Sequence, residues 1–123
     1  MRHKSLVLIL FFGLIMIYAQ ATVWRVNNNS AISANFTSFT AAQNAAAPND
    51  TLYFEGSSVS YGNIILTKPL TLIGPGYFLS ENPQTQANKV TAKFGTIGFN
   101  TGSAGSTISG LDISKRKKYK TKV

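Results

Sequence analysis

The sequence predicts an all-β fold in which short strands, joined by tight corners, wind around an apolar core behind one short helix. Three observations carry that expectation. Leu52 to Phe54, Ile64 to Leu66 and Leu70 to Ile73 are apolar runs too short for a helix, and Leu52/Phe54, Ile64/Leu66 and Leu70/Leu72 repeat the period of two that turns one face inward. Thr67-Lys68-Pro69 leaves room only for a corner, because Pro69 fixes its own φ and biases Lys68 toward extended backbone. Gly74-Pro75-Gly76 then stops the third run, since Pro75 supplies no N–H and the glycines permit angles that other residues resist.

Taken in order, the chain opens with Arg2, His3 and Lys4, an uninterrupted apolar block from Leu6 to Ile17, and Ala19-Gln20-Ala21. Charge, apolar segment and small residues in that order predict a secretory signal over residues 1–21, cleaved between Ala21 and Thr22. The block falls in the ~7–15 range of such signals and short of the ~20 residues of a membrane span. Export to the cell surface or the medium follows, with membrane contact confined to the leader before cleavage; an uncleaved anchor is the alternative. No cysteine follows the block, which excludes a lipid-modified N-terminus, and the chain has no cysteine at all. A secreted domain of this size without disulfides relies on its apolar core or on more of the same architecture.

Val23 to Val26 reads as a first strand ended by the turn cluster Asn27-Asn28-Asn29-Ser30, with Trp24 as a packing residue rather than a ligand platform. Phe36, Phe39, Ala42 or Gln43, and Ala46 recur at helical spacing; Thr37 or Ser38 caps the helix and Pro48 ends it. Its phenylalanine face is expected to close one end of the strands, and an ordinary α+β domain with the same helix is the alternative. Asn49, after Pro48, suits a positive φ, and Asp50 is expected to bond back to nearby N–H groups as a turn residue rather than to act as a catalyst.

The succession of the helix, Pro48-Asn49-Asp50-Thr51, the strand Leu52 to Phe54, Tyr61-Gly62 and Lys68 to Gly74 resembles the N-terminal start of right-handed parallel β-helix proteins of the pectin-lyase-like group, over roughly Val23 to Ser114. The resemblance implies an incomplete solenoid over residues 22–114: an N-terminal cap and the first turns of a right-handed parallel β-helix. In the enzymes that use this fold the catalytic groups lie further along, and no matching motif can be placed here.

Tyr77 to Asn88 reads as a polar loop. Tyr77, Phe78, Glu81 and Gln84 are the candidate carbohydrate contacts, aromatics for sugar faces and polar groups for hydroxyls; the blander reading is a solvated loop with both rings tucked in. Strand signals resume at Thr96 to Phe99 and Thr107 to Ile113, and the spacing Ile108, Leu111, Ile113 echoes Leu66, Leu70, Leu72. Residues 115–123 then turn abruptly basic. The expectation is a truncated product with an open strand edge able to recruit a further strand, so self-association is a partner prediction; a dedicated tail for acidic polymer or membrane is the alternative.

The formal charge of +8 is carried by the leader and the tail. Between Thr22 and Ser114, Arg25, Lys68, Lys89 and Lys93 balance Asp50, Glu55, Glu81 and Asp112, so no basic field for specific nucleic-acid binding is expected. His3 is the only histidine. Histidine triads, thiol chemistry and ordinary zinc sites are thus excluded from the mature chain, and neither a phosphate loop nor a dinucleotide fingerprint occurs. No cofactor, metal ligand or catalytic residue is assigned. The expected function is an exported, non-catalytic scaffold or surface module with a polysaccharide or cell-surface glycan as partner; the alternative is the N-terminal fragment of a polysaccharide lyase or glycoside hydrolase, with Glu55 and Asp112 as the acids that folding could unite.

Overall fold

The computed structural model describes residues 20–76 and 89–113. The elements are β1 (Val23–Val26), α1 (Phe39–Ala45), β2 (Thr51–Phe54), β3 (Ile64–Leu66), β4 (Thr71–Ile73), β5 (Lys93–Phe94), β6 (Ile97–Phe99), β7 (Thr107–Ser109) and β8 (Asp112–Ile113). One sheet has four strands in the order β1-β2-β4-β7, and β3-β6 and β5-β8 form two-stranded sheets; every pairing is parallel.

This corrects the expected fold class. The described residues form a small mixed α/β arrangement of one short helix and short parallel strands in small sheets, and they show no closed solenoid. Two things misled the sequence reading. Runs of three residues with period two report only which face is buried, and that signal is the same in a solenoid and in small parallel sheets. The helix, read as a lid, instead contributes Phe39 and Ala42, with Ala46 just after it, to the same core as the strands.

Register builds the core. Trp24, Leu52, Leu72 and Ile108 lie side by side across the four-stranded sheet, with Leu52 and Leu72 fully buried and Trp24 and Ile108 packed at the margins. Val26 pairs with Phe54 one step along. Phe54 is the centre of an aromatic group: Phe94 and Tyr61 meet it edge-on at centroid distances of 4.9 and 5.0 Å, and Phe39 stacks at 6.4 Å. The echo read between Leu66-Leu70-Leu72 and Ile108-Leu111-Ile113 is out of step with the pairing, because Ile108 neighbours Leu72 and Leu66 neighbours Phe99.

The helix is capped by Ser38, whose Oγ accepts from the Ala41 N–H at 3.2 Å, and it ends at Ala45, three residues before Pro48. Its buried Gln43 fastens the corner after β3, donating to the Ile65 carbonyl at 3.2 Å and accepting from the Thr67 N–H at 3.0 Å, while Lys68 Nζ donates to the Ala46 carbonyl at 2.8 Å. Asn49 adopts φ 71° as its place after Pro48 suggested, and its N–H donates to the Pro69 carbonyl at 2.7 Å. Asp50 does bond back, accepting from the Ala47 N–H at 2.9 Å, and it reaches further, to the Thr22 N–H at 2.8 Å and the Trp24 indole at 2.9 Å. Burial works to raise its pKa, but the Thr22, Trp24 and Ala47 donors and the Lys68 charge together outweigh that and hold the carboxyl below its ordinary value.

Candidate functional site

β1 and β2 run parallel and end together at Val26 and Phe54, so the segments that follow them, Asn27 to Ser30 and Glu55 to Val59, leave the sheet side by side. Three consecutive asparagines then do different work. Buried Asn27 donates from Nδ2 to Glu55 Oε2 at 2.8 Å and accepts at Oδ1 from the Asn29 N–H at 2.9 Å. Asn28 donates from Nδ2 to the Val59 and Ser60 carbonyls at 2.9 and 3.3 Å and accepts the Ser57 hydroxyl at 2.5 Å. Asn29 accepts the Ala31 N–H at 3.0 Å, the local bond that makes Asn a turn former.

Between these segments opens a cleft of about 510 Å³, within the usual range for small-molecule sites. Asn27, Asn28, Asn29, Ser30, Ser57 and Ser58 supply its polar lining, and Ile32, Val59 and Val90 its apolar lining; no charged side chain lines it. The last three are among the exposed large hydrophobic residues of the described chain. Asn29 and Ser58 are exposed, whereas Asn28 and Ser57 are more enclosed and bonded to one another. Gly56 brings the neighbouring segment this close: a Cβ there would lie 1.9 Å from the Val90 carbonyl oxygen.

An adjoining cleft of about 240 Å³ shares Asn27, Ile32, Gly56 and Val90 and adds Tyr53, Glu55 and Pro75. Glu55 is engaged, accepting from Arg25 and from Asn27, and it is ion-paired with the Arg25 guanidinium. Behind it Tyr61 directs its hydroxyl at the Glu55 and Val26 carbonyls, at 2.8 and 3.1 Å. Burial pushes the Tyr61 phenol up to about 12, with the Glu55 charge adding to the rise and the Asn28 backbone N–H opposing it. Tyr61 is therefore a neutral donor that ties the ends of β1 and β2 together.

The two acids sit on different elements. Glu55 follows β2 and faces Arg25 and Asn27, while Asp112 lies on β8 and accepts the Thr91 hydroxyl at 3.2 Å. Among the described residues no group of three or more His, Cys, Asp or Glu side chains could hold a metal ion, and no helix is long and apolar enough to cross a membrane.

No family model, curated protein or solved structure matches the chain. The site therefore rests on its own geometry.

The carbohydrate contacts expected from sequence, Tyr77, Phe78, Glu81 and Gln84, lie outside the described residues, as do the leader through Ala19 and the basic tail. Sequence reasoning took Asn27 to Ser30 as a turn and passed over Ser57, Ser58 and Val59. The usable signal was two polar clusters, Asn-Asn-Asn-Ser and Ser-Ser-Val-Ser, each placed just beyond a strand of the same sheet.

Proposed function

We propose that the chain is an exported, non-catalytic surface module that binds a neutral saccharide in the cleft between Asn27–Ser30 and Gly56–Val59. The observation that carries this reading is the lining: amide and hydroxyl groups with aliphatic side chains at their edge, and no charge. A neutral sugar presents the same mixture, hydroxyls around an apolar C–H face, and a site without fixed charge has no preference for an acidic or basic ligand. The engagement of Glu55 with Arg25 and Asn27 supports binding over hydrolysis, since both carboxylate oxygens already have partners within the fold.

Titration calorimetry against neutral and uronate oligosaccharides tests the proposal. Binding of a neutral ligand is expected, and each hydrogen bond removed in the double variant Asn29→Ala/Ser58→Ala should weaken it by about 0.5–1.5 kcal/mol. Affinity untouched by the double variant would sink this site. Release of new reducing ends or of unsaturated uronates would sink the non-catalytic reading.

A further inference from the structure

The bond at which the sequence predicts leader cleavage, Ala21–Thr22, precedes a nitrogen that the fold already holds. The Thr22 N–H donates to Asp50 Oδ1 at 2.8 Å, and the Thr22 carbonyl accepts the Thr51 N–H at 2.8 Å, so this residue is fixed on both sides before β1 begins. Asp50 is 4% exposed, and its other oxygen is oriented by the Trp24 indole and the Ala47 N–H. Gln20, Ala21 and Thr22 themselves are exposed, so the bond is open to a peptidase while the acceptor behind it is buried.

We propose that hydrolysis of Ala21–Thr22 creates an α-ammonium group for which Asp50 is a built receptor, so that removing the leader fastens β1 to the rest of the fold. The inference rests on the export reading given above. The step is ordinary amide hydrolysis by a processing peptidase. Water adds across the bond, Ala21 leaves with the carboxylate, and the Thr22 amine takes a proton at neutral pH. What changes at Asp50 is charge. In the uncleaved chain the buried carboxylate meets three neutral donors, and Lys68, whose charge acts on it, has its Nζ bonded to the Ala46 carbonyl. Among the described residues no side-chain cation is ion-paired with it. A buried anion gains most from a counter-charge whose position is already paid for by other contacts, and the Thr22 carbonyl bond to Thr51 fixes that position here.

The groups that face the new pair are few. Lys68 acts from the corner between β3 and β4; β1 offers the uncharged indole of Trp24, the end of the helix the Ala47 N–H, and β2 the Thr51 N–H. The direction of the pH dependence follows. An α-amine titrates at about 7.7–8.0 when free, and a neighbouring carboxylate raises that value in the folded state. The added stability is therefore present below pH ~8 for as long as Asp50 is ionised, and it is lost as pH rises through the raised amine value.

The test compares two chains that differ only at their start: Thr22 to Val123, released from a fusion with Thr22 first, and the same chain preceded by Gln20-Ala21. Every packed element begins at Val23 or later, so both contain the whole described fold. At pH 6 the Thr22 chain should melt higher by ~5 °C, a difference that shrinks toward pH 10 and disappears on acetylating the amine. Asp50→Asn should abolish it. If that variant does not fold, direct titration of the Thr22 amine decides, with a value clearly above that of a free α-amine expected. Equal melting temperatures, or an unshifted amine, would overturn the receptor role. Mass spectrometry of the product exported from full-length chain judges the cleavage separately: a first residue other than Thr22 overturns the processing step whatever the melting curves show.

Discussion

Replacing Phe54 by leucine removes a ring while keeping a branched apolar side chain, and the structure sets what that should cost. Phe54 is fully buried on β2. Its edge-on contacts with Phe94 at 4.9 Å and Tyr61 at 5.0 Å are close aromatic pairs, and the Phe39 contact at 6.4 Å is at the far end of the range. Such pairs contribute about 0.5–1.5 kcal/mol each beyond burial. The two close pairs alone imply a loss of about 1–3 kcal/mol, and the small void left beside leucine adds to it. That is a large share of the roughly 5–15 kcal/mol by which domains are stable. Urea unfolding followed by the fluorescence of Trp24, the single tryptophan, reads the effect as a lower midpoint with an unchanged slope. Phe99→Leu is the control, because Phe99 is 56% exposed and its replacement should stay within ~0.5 kcal/mol. If Phe54→Leu costs no more than Phe99→Leu, the aromatic group is not the centre of this core.

Three further outcomes follow from single features. Tyr61 has a folded pKa near 12, above its ordinary value, so the stability it contributes should be complete below pH ~10 and fall away as pH rises through 12; an absorbance titration of the phenol alongside urea melts checks both value and sign, and Tyr61→Phe should flatten that limb. Gly74→Ala should destabilise by about 2 kcal/mol or more, because the new Cβ would lie 2.5 Å from the Gly110 carbonyl oxygen and 2.6 Å from Leu111 Cδ2; a melting temperature within a degree of the parent's would mean that the two segments separate easily. At φ 71°, Asn49→Ala should cost about 1–2 kcal/mol while Asn49→Gly is close to neutral, and equal melting temperatures for the two variants would remove backbone strain as the reason for asparagine there.

Local chemistry was legible in the sequence, and assembly was not. Val23–Val26 and Ile64–Leu66 were read to the residue, the helix differed only at its ends, and the Ser38 cap, the positive φ of Asn49 and the turn role of Asp50 all follow from side chains acting within a few residues. Lys93–Phe94 escaped because a two-residue strand has no period, and it exists only by pairing with Asp112–Ile113. The error in fold class has the same origin: the grouping of strands into sheets depends on register between distant residues, which alternation cannot report. The cleft was missed because its walls are two turns, each unremarkable alone, that the β1–β2 pairing sets side by side.

The parallel pairing also governs how the fold is reached. β1 meets β2 across the helix, β2 meets β4 past β3, and the remaining ladders each skip two strands, so no pair in the described chain is a hairpin. A chain built this way has no local sheet seed. Only α1 and the turns can form early, and each ladder must first close a long loop, with its entropy loss preceding any gain. Refolding should be slow for a body of this size, and the apolar strand segments stay exposed until β2 has found both β1 and β4, an interval in which association between chains competes with folding.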